Sequence, residues 1–62
     1  MDAYAANTAL RRARKAMAHA TRQIEEAPTP KARARHERRL RSAQRRYGAA
    51  VYDFEQITLT EA

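Results

Sequence analysis

Leu10, Met17 and Ile24 stand seven residues apart, and Ala6, Ala13, Ala20 and Ala27 form a second row with the same spacing. Further along, Leu40, Tyr47 and Phe54 repeat the large row, while Ala43, Ala50 and Ile57 repeat the other. A seven-residue apolar period belongs to helices that pack along a narrow seam, here with the large row at heptad position a and the alanine row at d. Two such seams in one short chain predict an all-α fold, an antiparallel two-helix hairpin with the character of an alanine-rich coiled coil.

The break between the seams is the segment Ala27-Pro28-Thr29-Pro30, which holds both prolines of the chain. Proline is excluded from a helix interior, but Pro30 suits the first turn of a helix capped by Thr29. The flanking stretches are rich in Ala, Arg, Glu and Gln, all good helix formers, with one Gly at position 48. The prediction is a single hairpin over residues 1–62: a helix over about 3–27 with Asp2 as its cap, a turn at about 28–30, and a helix over about 31–58. The β-branched, terminal run Ile57-Thr58-Leu59-Thr60 is expected to fray.

In an antiparallel pair, an a residue of one helix lies level with a d residue of the other. A single register satisfies this throughout, with facing residue numbers adding to 60. Its layers are Ala3 with Ile57, Ala6 with Phe54, Leu10 with Ala50, Ala13 with Tyr47, Met17 with Ala43, Ala20 with Leu40, and Ile24 with His36. All but the last set one bulky side chain against one alanine, which lets two helices approach closely without voids. The same register centres the turn at residue 30, where the prolines already place it.

A hairpin of about sixty residues with layered large and alanine positions resembles the Rop family of plasmid copy-control RNA-binding proteins. The resemblance covers the whole chain through its length and core pattern, while the heavy arginine content departs from that family. It implies dimerisation of two hairpins into a four-helix bundle and, in function, RNA binding.

Composition points to a partner on independent grounds. The chain has 62 residues, and 15 of its apolar residues are Ala, which leaves 12 larger ones to build a core. So small a chain buries only roughly 60% of its unfolded surface even when well packed. With no Cys and two well-separated His, neither a disulfide nor a metal is expected as a staple, so oligomerisation is the remaining one. Tyr4, Gly48, Val51, Tyr52 and Leu59 lie outside the seam and towards one end, and they are the expected oligomer interface, with a homodimer as the expected assembly.

Thirteen Lys and Arg against seven Asp and Glu give a formal net charge of +6. Nine of the basic residues fall on heptad positions g, c or f. Of these, Arg12, Lys15, Arg22, Arg35, Arg38, Arg39, Arg45 and Arg46 are the expected nucleic-acid-binding set. Glu25 and Glu26 close the first helix while Lys31, Arg33 and Arg35 open the second, both against the macrodipole preference of about 0.3–1 kcal/mol. Such charge is better suited to an anionic partner than to helix stability.

The sequence therefore predicts a small basic regulator of phage or plasmid type that grips nucleic acid through an arginine-rich face about two helices wide. The alternative is a protein-interaction adaptor or small virion component docking through its apolar terminal end, with the basic residues steering it to an acidic protein surface. Aromatic residues do not interleave with the arginines along the chain, so base stacking is not expected. No catalytic constellation, enclosing cavity or cofactor motif is present, and no enzyme is expected. His36 is expected to cap the loop end of the core beside Ile24 or to contact Glu25. No apolar run is long enough for a membrane span, the alanine-rich stripes are taken up by the seam, and no secretory signal opens the chain. A cytoplasmic protein without membrane association is expected.

Overall fold

The computed structural model describes residues 2–61, with side chains for residues 2–60. Met1, Ala62 and the side chain of Glu61, which the sequence assigned to the ends of the hairpin, lie outside the described residues. Two helices are present, α1 (Ala3–Glu26) and α2 (Pro30–Glu61), joined by a three-residue turn and packed against each other.

The helix boundaries follow from local chemistry. Asp2 is extended, at φ −89° and ψ 170°, and its Oδ1 accepts the Ala5 N–H at 2.7 Å while its carbonyl accepts the Ala6 N–H at 3.0 Å. Thr29 does the same for α2: Oγ1 accepts the Ala32 N–H at 3.1 Å and the carbonyl accepts the Arg33 N–H at 3.0 Å. Between them, Ala27 is held extended at φ −62° and ψ 125°, the conformation that a following proline imposes. Its N–H reaches back to the Ile24 carbonyl at 3.3 Å, which tightens the last turn of α1. No described residue adopts a positive φ, so the two prolines turn the chain without a left-handed residue.

At its C-terminus α2 continues to Glu61, three residues past the expected helix end at about residue 58. The hydroxyls of Thr58 and Thr60 donate to the carbonyls of Phe54 and Gln56 at 2.9 and 2.8 Å. These bonds satisfy the hydroxyls on the helix's own carbonyls four residues back.

The buried side chains among the described residues are all alanines: Ala6, Ala13 and Ala20 from α1, Ala43 and Ala50 from α2. These are five positions of the predicted d rows. Leu10, Met17, Ile24, Leu40 and Tyr47 are half-buried, because their bulk straddles the seam that the alanine Cβ atoms fill. The predicted register is followed: the Arg14 guanidinium carbon lies 5.8 Å from the centroid of the Tyr47 ring, beside the Ala13 and Tyr47 layer. The Cα envelope measures 49 × 13 × 13 Å. Two straight rods lying flat would be only about 5 Å thick across the pair, so equal widths mean that the helices cross or coil about each other, and alanine at the seam permits a close approach of about 8 Å between axes.

Candidate nucleic-acid interface

All thirteen Lys and Arg residues are exposed, and the hairpin sorts them along its length. Residues 2–10 and residues 47–61 contain no Lys or Arg, and antiparallel packing brings these two segments to the same end. That end carries Asp2, Asp53, Glu55 and most of the aromatic side chains. Residues 11–46, from the middle of the hairpin to the loop, hold every basic residue against Glu25, Glu26 and Glu37. The molecule is thus an acidic, aromatic tip on a basic shaft. Neither helix has an acidic residue in its first turn or a basic one in its last. Lys31 and Arg33 therefore stand at the positive end of the α2 dipole, while Glu25 and Glu26 stand at the negative end of α1, so opposite charges meet at the loop end.

Around the shaft, the eight predicted nucleic-acid residues form a belt rather than one flat face. Positions f of the two helices lie opposite the seam and point away from each other. Arg22 and Lys15 accordingly sit on the back of α1, and Arg38 and Arg45 on the back of α2. Arg12, Arg35, Arg39 and Arg46 lie on the g and c side between these backs. There, Arg39 and Arg46 flank a shallow groove of about 200 Å³ floored by Ala16, Ala20 and Ser42 and completed by His19 and Gln23. The two arginines are one heptad apart, roughly 10 Å along the axis. Gln23 Oε1 is buried beside this groove with no hydrogen-bond partner, an acceptor that heptad periodicity does not single out.

A second depression, on the outer surface of α1, changes the sequence reading. Tyr4, Thr8, Arg11, Arg12 and Lys15 line it together. The expectation that aromatic residues stand apart from the arginines therefore fails at Tyr4. Spacings of four, seven, eight and eleven residues on a helix make one stripe, so a ring that is remote from the basic residues in the chain is adjacent to them on the surface. Arg14 also stacks on an aromatic ring, that of Tyr47, but this ring is half-buried in the seam and is spoken for within the fold.

The expected oligomer interface is distributed over the tip. Tyr4, Tyr52 and Leu59 are exposed at 82%, 62% and 70%, Gly48 is exposed and Val51 is half-buried. Leu59 shares an apolar depression with Phe54, Glu55 and Thr58, while Tyr4 faces the basic stripe instead. Phe54, assigned to the seam by its heptad position, remains 36% exposed. Its partner Ala6 is fully buried and Ile57, one turn further out, is half-buried, so the seam continues past this layer and the exposed part of the ring is the bulk that overhangs the small alanine. A Cβ built on Gly48 meets nothing within 4 Å, so no close approach within the chain requires this glycine.

His36, at the loop end, is half-buried with its Nδ1 shielded and without a hydrogen-bond partner. The expected contact to Glu25 is not made through this atom. No helix among the described residues is long and apolar enough to cross a membrane. The chain matches no protein-family model, no curated protein and no solved structure, so its likeness to the Rop hairpins rests on length and layering alone.

Proposed function

We propose that this protein is a non-enzymatic nucleic-acid-binding hairpin of the small phage or plasmid regulator kind, which grips phosphates with the arginine belt of its shaft. The observation that carries the reading is the segregation of all thirteen exposed basic side chains onto the shaft, away from the base-free tip. Arginine presents a planar fork that pairs with phosphate oxygens in bidentate fashion. Two helices side by side are too wide for a duplex major groove of about 12 Å, so the shaft would lie across phosphates rather than read base edges. Arg12, Arg35, Arg39 and Arg46 point to one side and can engage one nucleic-acid surface together. Four such contacts give a slope of about −3.6 in log affinity against log salt on duplex DNA, or roughly a 150-fold loss between about 50 and 200 mM. A salt titration with an arbitrary short duplex tests this. Failure to bind even at the low-salt end, or affinity that ignores salt, defeats the proposal.

A second role is favoured by the tip. Exposed Tyr52, Phe54 and Leu59 occur where the basic residues do not, and the hairpin exposes 4907 Å² in total. A compact protein of this mass exposes about 4,100 Å². The excess of about 800 Å² belongs to the elongated two-helix shape, which leaves apolar side chains such as Tyr52 and Leu59 uncovered. We propose that a second copy covers the tip, giving a homodimer whose basic shafts stay free. Sedimentation at graded concentrations checks it: a monomer that persists at high concentration would transfer the tip to an adaptor role on another protein.

A further inference from the structure

Tyr4 is the most exposed of the large apolar side chains described, at 82%, and its neighbours in the α1 depression are three cations and a hydroxyl. A ring needed for packing would be covered, whereas this one is open to solvent within the base-free tip, on the α1 surface that leads to the basic shaft. The cations lie on one side of it only. Arg11, Arg12 and Lys15 follow Tyr4 along α1, and Asp2, engaged as the helix cap, precedes it.

From this arrangement we propose that Tyr4 is a stacking platform for an unpaired base of single-stranded nucleic acid, whose adjoining phosphates are held by Arg11, Arg12 and Lys15. The inference rests on the nucleic-acid reading above and narrows its substrate class. An aromatic ring offers a π-face that any base can stack upon, and nearby cations track the backbone. In a duplex both faces of each internal base are already stacked, so Tyr4 gains nothing there and only the phosphate contacts operate. Lys15 is eleven residues beyond Tyr4, about 16 Å along the helix. The stripe is therefore long enough for the strand to continue past the stacked base. The absence of Lys and Arg from residues 2–10 leaves nothing to hold phosphates beyond the ring, so the stacked base is a strand end or one splayed out of the path.

The test compares Tyr4→Ala and Tyr4→Phe with the unaltered protein. Binding is followed by fluorescence anisotropy to a short labelled thymidine oligonucleotide and to a duplex of equal length, with thymidine monophosphate as competitor. Tyr4→Ala should weaken strand binding about tenfold, within the roughly 5- to 150-fold range of base–aromatic stacking. Duplex binding should be unchanged, Tyr4→Phe should bind the strand like the unaltered protein, and the monophosphate should compete poorly because it lacks the following phosphates. Equal strand affinity for Tyr4→Ala and the unaltered protein overturns the proposal. So does an equal loss on strand and duplex, or competition by the monophosphate as strong as by the strand. If the unaltered protein binds duplex but Tyr4→Ala leaves strand binding intact, the platform alone fails. If the unaltered protein binds neither nucleic acid, the parent reading fails with it.

Discussion

The alanine rows are the hairpin's most sensitive feature, and they can be probed by adding the same three carbons at different depths. Ala13 is 3% exposed at the Tyr47 layer, where the helix axes are about 8 Å apart. The Tyr47 ring is half-buried across the seam, with the Arg14 guanidinium over it at 5.8 Å. Ala13→Leu must therefore push the helices apart or force a side chain off its rotamer, at a cost of about 1–3 kcal/mol. For a domain of this size 1 kcal/mol moves the melting temperature by about 4–8 °C, so the loss should be roughly 5–20 °C. Ala20 is equally buried but borders the open groove beneath Arg39 and Arg46. Leucine there can bend into the groove, and the cost should fall below about 1 kcal/mol. Ala16, half-buried on the groove floor, is the control, and Ala16→Leu should leave the melting temperature unchanged or raise it. The small difference in helix propensity between Ala and Leu is common to all three and cancels in the comparison. The assay is thermal melting by far-UV circular dichroism at one fixed protein concentration. A melting temperature for Ala13→Leu at or above that of the unaltered protein, or three equal decreases, would refute the close packing of the rows.

Three further outcomes are expected. Thr29→Ala removes the oxygen that accepts the Ala32 N–H and should cost about 1 kcal/mol, seen as a lower melting temperature that Thr29→Ser recovers. Gly48→Ala places a methyl group in open space within a helix and should stabilise the dilute protein by about 0.5–1 kcal/mol; a decrease in melting temperature at low concentration would contradict this. Replacing Arg39 and Arg46 together by Gln should leave helicity intact and make the salt slope of duplex binding shallower by about 1.8. An unaltered slope would remove the groove flanks from the phosphate-binding belt.

The hairpin was legible in the sequence because its determinants are local or periodic. Asp2 and Thr29 cap, the prolines turn, and an alanine every seventh residue marks the strip that becomes buried, so the register follows from matching one strip to the other. The identity of each exposed surface was less legible. Heptad letters place a residue around its own helix, but they do not say how far the partner helix reaches or how a long side chain leans. Phe54 is a seam residue by its heptad position, yet part of its ring stays exposed because it overhangs the alanine opposite. Tyr4 was grouped with Val51 and Leu59 although its ring lies along the α1 basic stripe. The basic positions span more than one side of the pair, because f positions on the two helices diverge.

The sequence by itself determined that there are two helices, where the chain reverses and which alanines are buried, since hydrogen-bonded caps and hydrophobic period act over a few residues. Only the tertiary structure decided that the two base-free segments, one at each end of the chain, meet in a single acidic and aromatic tip. Their juxtaposition depends on the antiparallel return of α2 along α1. The same winding set a groove between Arg39 and Arg46 and left α2 projecting past α1, because the distance between helix axes and the mismatch in helix length are properties of the packed pair.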